Sequence, residues 1–258
     1  MELKTVQQKL KELEQKYNIT ILYSCESGSR AWGFASPDSD WDVRFIYSYP
    51  KDYYLSIDSH EETLNFEIDE NDLDLAGWEI RKVLRLFRSS NATPYEWLQS
   101  PIHYMERFDF VNRLWQLRTE YFRPRATAHH YLGLTKKSHK TGLQGEKFNI
   151  KKYFYVLRPL LAAWWIIEHK EAPPMEFVPL LALIKDQPDV YKAILELTER
   201  KKQANESDYI APVPIIEQFI TTTMEYCATH VGALPLDITP SDNLNALFRN
   251  LLLDVETL

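Results

Sequence analysis

Two apolar runs rich in β-branched and aromatic residues, ITILYSC at 19–25 and WDVRFIYS at 41–48, read as buried strands. The segment joining them constrains the fold more than any other part of the chain. Gly28-Ser29 follows the first run and opens what reads as a short helix; the turn SPDSD at 36–40 leads into the second run. Asp40 and Asp42 stand at the mouth of that second strand. Two residues apart in extended chain, they point to one face. Like charges so placed repel unless a cation lies between them. Hard oxygen ligands with an incomplete protein shell suit Mg²⁺, which keeps water and takes the rest of its shell from phosphates. A third carboxylate on a neighbouring strand would complete a two-ion site, with the ions about 3.5–4 Å apart. The stretch DLDLAGW offers Asp72 and Asp74. Asp74 belongs to a short strand, LDLA, that gives way to a helix at Gly77-Trp78, whereas Asp72 falls in the turn. Asp74 is therefore the expected third acid, and Asp72 the alternative. At Gly28-Ser29, glycine lets a phosphate approach the backbone, serine adds a hydroxyl donor, and Arg30 adds a charge.

The first hundred residues mix helix and strand. Leu3, Val6, Leu10, Leu13 and Tyr17 recur at helical spacing across 2–17. TLNFEI at 63–68 alternates like a strand with one wet face, and Ile80, Val83, Leu84, Leu86 and Phe87 return to the helical period. Further on the pattern is helical, with segments at 106–120, 124–140, 150–170, 175–185, 189–203, 213–230 and 241–257. Pro173-Pro174, Pro212 and Pro214 act as breakers between them. The chain reads as α+β: a small mixed-sheet domain at 1–105, then an all-helical domain at 106–258.

No apolar run approaches the roughly 18 residues that would span a bilayer, so no membrane partner is expected. Cys25 and Cys227 lie far apart without metal spacing; they read as buried thiols, and a cytoplasmic location fits. The formal net charge of −7 hides an asymmetry. Residues 123–158 hold nine Lys and Arg against one acid, Glu146, a local +8 that leaves −15 on the remainder. A basic block in an acidic protein suits phosphates or nucleic acid, the plainer alternative being a solvated helix face. Within it, Lys151, Tyr155 and Arg158 share one helical face, with Lys152 beside them, an arrangement that suits stacking a base and pairing phosphates. A packed tyrosine flanked by snorkelling cations is the alternative for Tyr155. His129 and His130 are adjacent, so they diverge on a helix and make a poor metal pair. His130 and Lys136 are better read as substrate contacts. Trp164-Trp165 reads as core.

Gly28-Ser29, ten intervening residues, Asp40-x-Asp42 and a later Asp resemble the signature of the polymerase-β-type nucleotidyltransferase superfamily. The stretches SGSRAWGF, SDWDVRFIY, DLAGWEIRKVLRLF, EWLQSPIHY and KKYFYVLRPLLAAWWI resemble more narrowly the bacterial polymerase-β-like proteins associated with RNA ligases and RNA repair. The resemblance implies three acids holding two divalent ions, Mg²⁺ or Mn²⁺. It also implies transfer of a nucleoside monophosphate from a nucleoside triphosphate, templateless addition at an RNA 3′ end, and an RNA ligase as functional partner. Asp40, Asp42 and Asp74 then serve as metal ligands and catalytic groups, with Asp74 also taking the proton of the attacking hydroxyl. Gly28, Ser29, Arg30, Lys151, Lys152, Tyr155 and Arg158 bind the nucleotide. Two other readings share the acid pair: nucleotidylation of a small molecule or a protein, and a catalytically silent nucleotide-binding regulator or toxin-neutralising partner.

Overall fold

The computed structural model describes residues 3–70, 72–203, 205, 208–235 and 240–258. In chain order the first half runs α1 (Leu3–Tyr17), β1 (Thr20–Glu26), α2 (Gly28–Trp32), β2 (Trp41–Ser48), α3 (Lys51–Leu55), β3 (Thr63–Asn65), β4 (Leu73–Glu79), α4 (Ile80–Arg88), α5 (Ala92–Trp97) and β5 (His103–Glu106). The remainder is α6 (Phe110–Gln116), α7 (Arg118–Tyr121), α8 (Pro124–Gly142), β6 (Phe148–Asn149), α9 (Lys151–His169), α10 (Phe177–Leu180), α11 (Pro188–Gln203), β7 (Tyr209–Ile210), α12 (Pro214–His230) and α13 (Asp242–Val255). Short 3₁₀ turns follow α10 and α12. A mixed sheet followed by helices is thus the architecture, with one small addition: β6 and β7 form an antiparallel pair inside the helical half.

The five-stranded sheet has the order β3-β4-β2-β1-β5. β2 and β4 are parallel and the other pairs are antiparallel. Alternation along β2 and β4 divides their side chains between two cores. Val43, Phe45, Tyr47, Leu73 and Leu75 pack with Val6 and Leu10 of α1. On the other face Ile46 packs with Val83, Leu84 and Phe87 of α4, Phe110 and Leu114 of α6, and Leu244, Leu247 and Leu251 of α13. The last helix therefore returns to cover the first sheet. It is fixed there by Phe248 edge-on to Tyr54 at 5.1 Å and by an Arg113–Asp254 ion pair of 2.6 Å. A third core, built mainly from α8, α9, α11 and α12, takes in Phe34 from the loop after α2, 4.6 Å from Phe154.

Three expectations are corrected. Gly77-Trp78 does not start a helix: β4 runs through both to Glu79, hydrogen-bonded to β2 over its whole length, and α4 begins at Ile80. Two features hold the strand open here. Gly77 lies flush against the Phe45 ring, and the Glu79 carboxylate accepts from Arg81 N at 2.9 Å and caps the helix one residue later. The strand expected at 63–68 is limited to β3, with only Phe66 N donating onward, to Leu75 O at 3.1 Å. The single helix expected at 106–120 starts late, because Glu106 ends β5 and Phe108 and Asp109 turn with positive φ, and it is divided at Leu117 into α6 and α7. Cys25 and Cys227 are buried, unbonded thiols, and burial pushes each up to about 12.

A Cβ at Gly77 would fall 2.2 Å from a Phe45 ring carbon. Overpacking of this kind costs about 1–3 kcal/mol. Gly77→Ala is expected to lower the unfolding free energy measured in urea by that amount, with a correspondingly lower midpoint, and Phe45→Leu in the same chain to recover part of it. An unchanged midpoint in Gly77→Ala would contradict the close strand–strand approach.

Candidate active site

The parallel register of β2 and β4 sets Asp42 directly opposite Asp74. Asp40 precedes β2 rather than lying in it, and Asp72 is exposed at positive φ before β4 begins. Asp40 and Asp42 line a cleft of about 110 Å³ together with Ser29, Lys151, Tyr155 and Lys201, over an aromatic floor of Trp32, Phe34 and Phe154. Residues more than a hundred positions apart in the chain are joined here because α2 and its loop insert into the helical core.

Each acid is held by its neighbours. Gly28, at φ +58°, leaves room for Asp42: a Cβ there would sit 1.9 Å from Asp42 Oδ2. Behind Asp42, its own backbone N–H donates to Glu26 Oε1 at 2.8 Å, while Tyr104 O–H donates to Glu26 Oε2 at 2.5 Å. Burial pushes the Glu26 carboxyl up, partly opposed by those two donors. Arg30 faces the loop, not the cleft. It donates to Ser39 O at 2.6 Å and Asp40 O at 3.0 Å and stacks 3.9 Å from the Trp41 ring centroid, so it fixes the approach to Asp40.

Burial is also the main cause that raises the Asp42 carboxyl above its ordinary value; Asp74 and Asp40 add to it, while Arg44 and Lys151 oppose it. Arg44 Nη2 lies between two of the acids, 3.0 Å from Asp42 Oδ1 and 2.7 Å from Asp74 Oδ2. The pair is thus arranged around positive charge. Among the described residues no three His, Cys, Asp or Glu side chains are already gathered as a metal cage. The donor set nonetheless suits a hard cation that takes few protein ligands and completes its shell from phosphate and water. Holding it there requires the guanidinium to move aside.

The helical half supplies the cations. Lys151 stands on the first turn of α9, where Asn149 Oδ1 accepts its backbone N–H at 2.8 Å, and its Nζ lies 6.0 Å from the Tyr155 ring centroid. Lys201, on α11, was missed in the sequence. It is 1 % exposed, and its Nζ donates to Ser36 Oγ at 2.7 Å, just before Asp40. The signal was present: Ile194, Leu197, Thr198 and Lys201 form one buried helical stripe, in which a lysine is out of place. Of the other basic residues, Arg158 is buried behind the cleft and Lys152 packs along Gly142. Lys136, Lys137 and Lys140 are exposed on α8, and none of the described cavities is lined by Lys136. His130 lines a neighbouring cavity with Tyr155 and Arg158.

The chain matches the profile of the RNA repair pathway DNA polymerase beta family, RlaP, over residues 3–250. It is 44% identical over 244 residues, 93% of each chain, to the uncharacterized protein YcgL of Bacillus subtilis (strain 168). A crystal structure of a nucleotidyltransferase-like protein from Exiguobacterium sibiricum 255-15 aligns over 88% of this chain and 75% of its own, with 14% identity and a TM-score of 0.34. That last likeness is too distant to bear weight. No helix among the described residues is long and apolar enough to cross a membrane.

Proposed function

Since this chain belongs to the RNA repair pathway DNA polymerase beta family, we propose that it transfers a nucleoside monophosphate from a nucleoside triphosphate to the 3′ hydroxyl of an RNA end, without a template. The observation that carries the reading is the β2–β4 register, which sets Asp74 opposite Asp42, the latter lining a cleft with Asp40, Ser29, Lys151 and Lys201. Asp40, Asp42 and Asp74 are the residues to hold two divalent ions, Mg²⁺ or Mn²⁺, which supply charge neutralisation on the phosphates and a more acidic attacking hydroxyl.

The chain's own groups do the rest. Ser29 donates its hydroxyl to a phosphate oxygen, and Gly28 keeps the space beside Asp42 clear. Lys151 and Lys201 stabilise the charge that builds on the departing pyrophosphate, where fixed cations in a part-buried site have most effect. The acceptor oxygen forms a bond to the α-phosphorus as the bond to the β-phosphate oxygen breaks. Asp74 accepts the hydroxyl proton. The exposed lysines of α8 meet the RNA backbone, and the extended end then suits a ligase.

The test is incubation with each labelled triphosphate, Mg²⁺ or Mn²⁺, and separate RNA, DNA, small-molecule and protein acceptors. Label on RNA alone is the expected result; label on another acceptor, or none, overturns the assignment. Lys201→Met is expected to weaken triphosphate binding about tenfold or more with the fold retained. RNA affinity should fall with salt at a log–log slope of about −0.7 per phosphate contacted, and Lys136→Ala with Lys137→Ala should flatten that slope. A salt-independent affinity would return α8 to a plain solvated face.

A further inference from the structure

A second cavity, of about 160 Å³, opens beside the carboxylate cleft, between α5, α8 and α9. The two share Trp32, Phe154 and Tyr155 as wall residues, so they are immediate neighbours. The walls of the second are largely apolar and aromatic, with a few fixed polar groups, which is the usual make-up of a small-molecule site.

The most firmly fixed of those groups is Glu96. Tyr131 O–H and Arg158 Nη1, the latter at 2.9 Å, both donate to Glu96 Oε1. Arg158 is in turn anchored to the Met175 carbonyl at 3.2 and 3.0 Å, and its guanidinium lies 4.5 Å from the Trp32 ring centroid. This arrangement compensates a buried charge and locks one carboxylate oxygen. Oε2 remains as an acceptor of fixed position. On another wall, the indole N–H of Trp32 is buried and meets no acceptor among the described residues. With no accessible surface of its own, that N–H is closed off from the cavity, and Trp32 serves the wall through its ring.

We propose that this cavity is the nucleobase pocket, in which aromatic walls stack the base while Glu96 Oε2 accepts from its edge. The inference rests on the nucleotidyl-transfer reading above. It gives Arg158 a role different from phosphate binding: it is a positioning residue that holds Glu96 in place. It also makes base choice a property of Glu96, because a carboxylate only accepts, whereas an amide also donates.

Calorimetry on the full chain with Mg²⁺, comparing ATP, CTP, GTP and UTP with inorganic tripolyphosphate, separates the two cavities. At least one nucleotide is expected to bind tenfold or more tightly than tripolyphosphate. Leu134→Trp, at a 43 % exposed rim position on α8, should abolish that difference and leave tripolyphosphate binding unchanged. Glu96→Gln should reorder the four bases. Should Glu96→Gln fail to fold, Leu134→Trp decides alone, because its site is at the surface. Equal affinity for tripolyphosphate and all four nucleotides, or a difference that survives in Leu134→Trp, overturns the nucleobase pocket while leaving the triphosphate cleft standing. No binding of any of the five overturns both.

Discussion

Asp42→Asn is expected to abolish nucleotidyl transfer and, in metal-free protein, to raise the melting temperature at neutral pH. The loss of activity should be about 10³-fold or more, beyond the 10–100-fold typical of residues that only support a metal ligand. The gain in stability follows from the raised Asp42 carboxyl, whose main cause is burial, reinforced by Asp74 and Asp40. A carboxyl raised in the folded state binds its proton more tightly there than in the unfolded chain. Stability therefore falls as pH rises from the ordinary value of 3.8 through the folded-state value, and the cost is fully present above the latter. Asparagine removes that cost and keeps the shape. Arg44 loses one partner but keeps Asp74 Oδ2 at 2.7 Å and the Asp74 carbonyl at 2.8 Å. Melting curves with chelator at pH 7 and below pH 3.8 test the sign: the variant's advantage should be clear at the first and vanish at the second. A wild-type transfer rate, or a lower melting temperature at pH 7, would remove Asp42 from the site.

Gly28→Ala is expected to fail in both stability and activity. Its Cβ would lie 1.9 Å from Asp42 Oδ2 and 2.8 Å from Cγ, and an L-residue at φ +58° carries a further cost of about 1–2 kcal/mol. Either the carboxylate turns out of the cleft or the start of α2 moves. We expect a loss of about 2 kcal/mol or more, by strain and overpacking combined, and no detectable transfer. Asp42→Ala removes the colliding atoms, so Gly28→Ala should cost distinctly less stability in that background. A double-mutant cycle by urea unfolding measures the coupling. Equal cost in both backgrounds would mean that glycine serves the backbone only, and not the carboxylate.

Short-range features were legible in the sequence. The strand at 41–48 matches β2, the Gly-Ser pair opens α2, and Asp74 lies in a strand while Asp72 does not. Several helices of the second half were read within a few residues because their apolar stripes face one core. Long-range geometry was not legible. Nothing local says that β2 and β4 run parallel, or that a glycine before Trp78 marks strand-on-strand packing rather than a helix start. Spacing put Arg158 on one face with Lys151 and Tyr155, but Arg158 is buried, Tyr155 is exposed, and the partner that takes the guanidinium is Glu96, 62 residues earlier. Lys201 reaches Ser36 across 165 residues, a pairing that only the packed helical core creates.

The return of α13 to the sheet has a consequence for how the protein is made. Leu244, Leu247 and Leu251 complete a core whose other members have all been synthesised by residue 121. On the ribosome, the outer side of α4 in that core stays open until α13 leaves the exit tunnel, on the order of ten seconds later at ordinary elongation rates. The helix that follows the acid-bearing β4 thus reaches its final packing only after translation of the helical half is nearly done. During that interval the exposed apolar face is a substrate for chaperones and a point of vulnerability to aggregation.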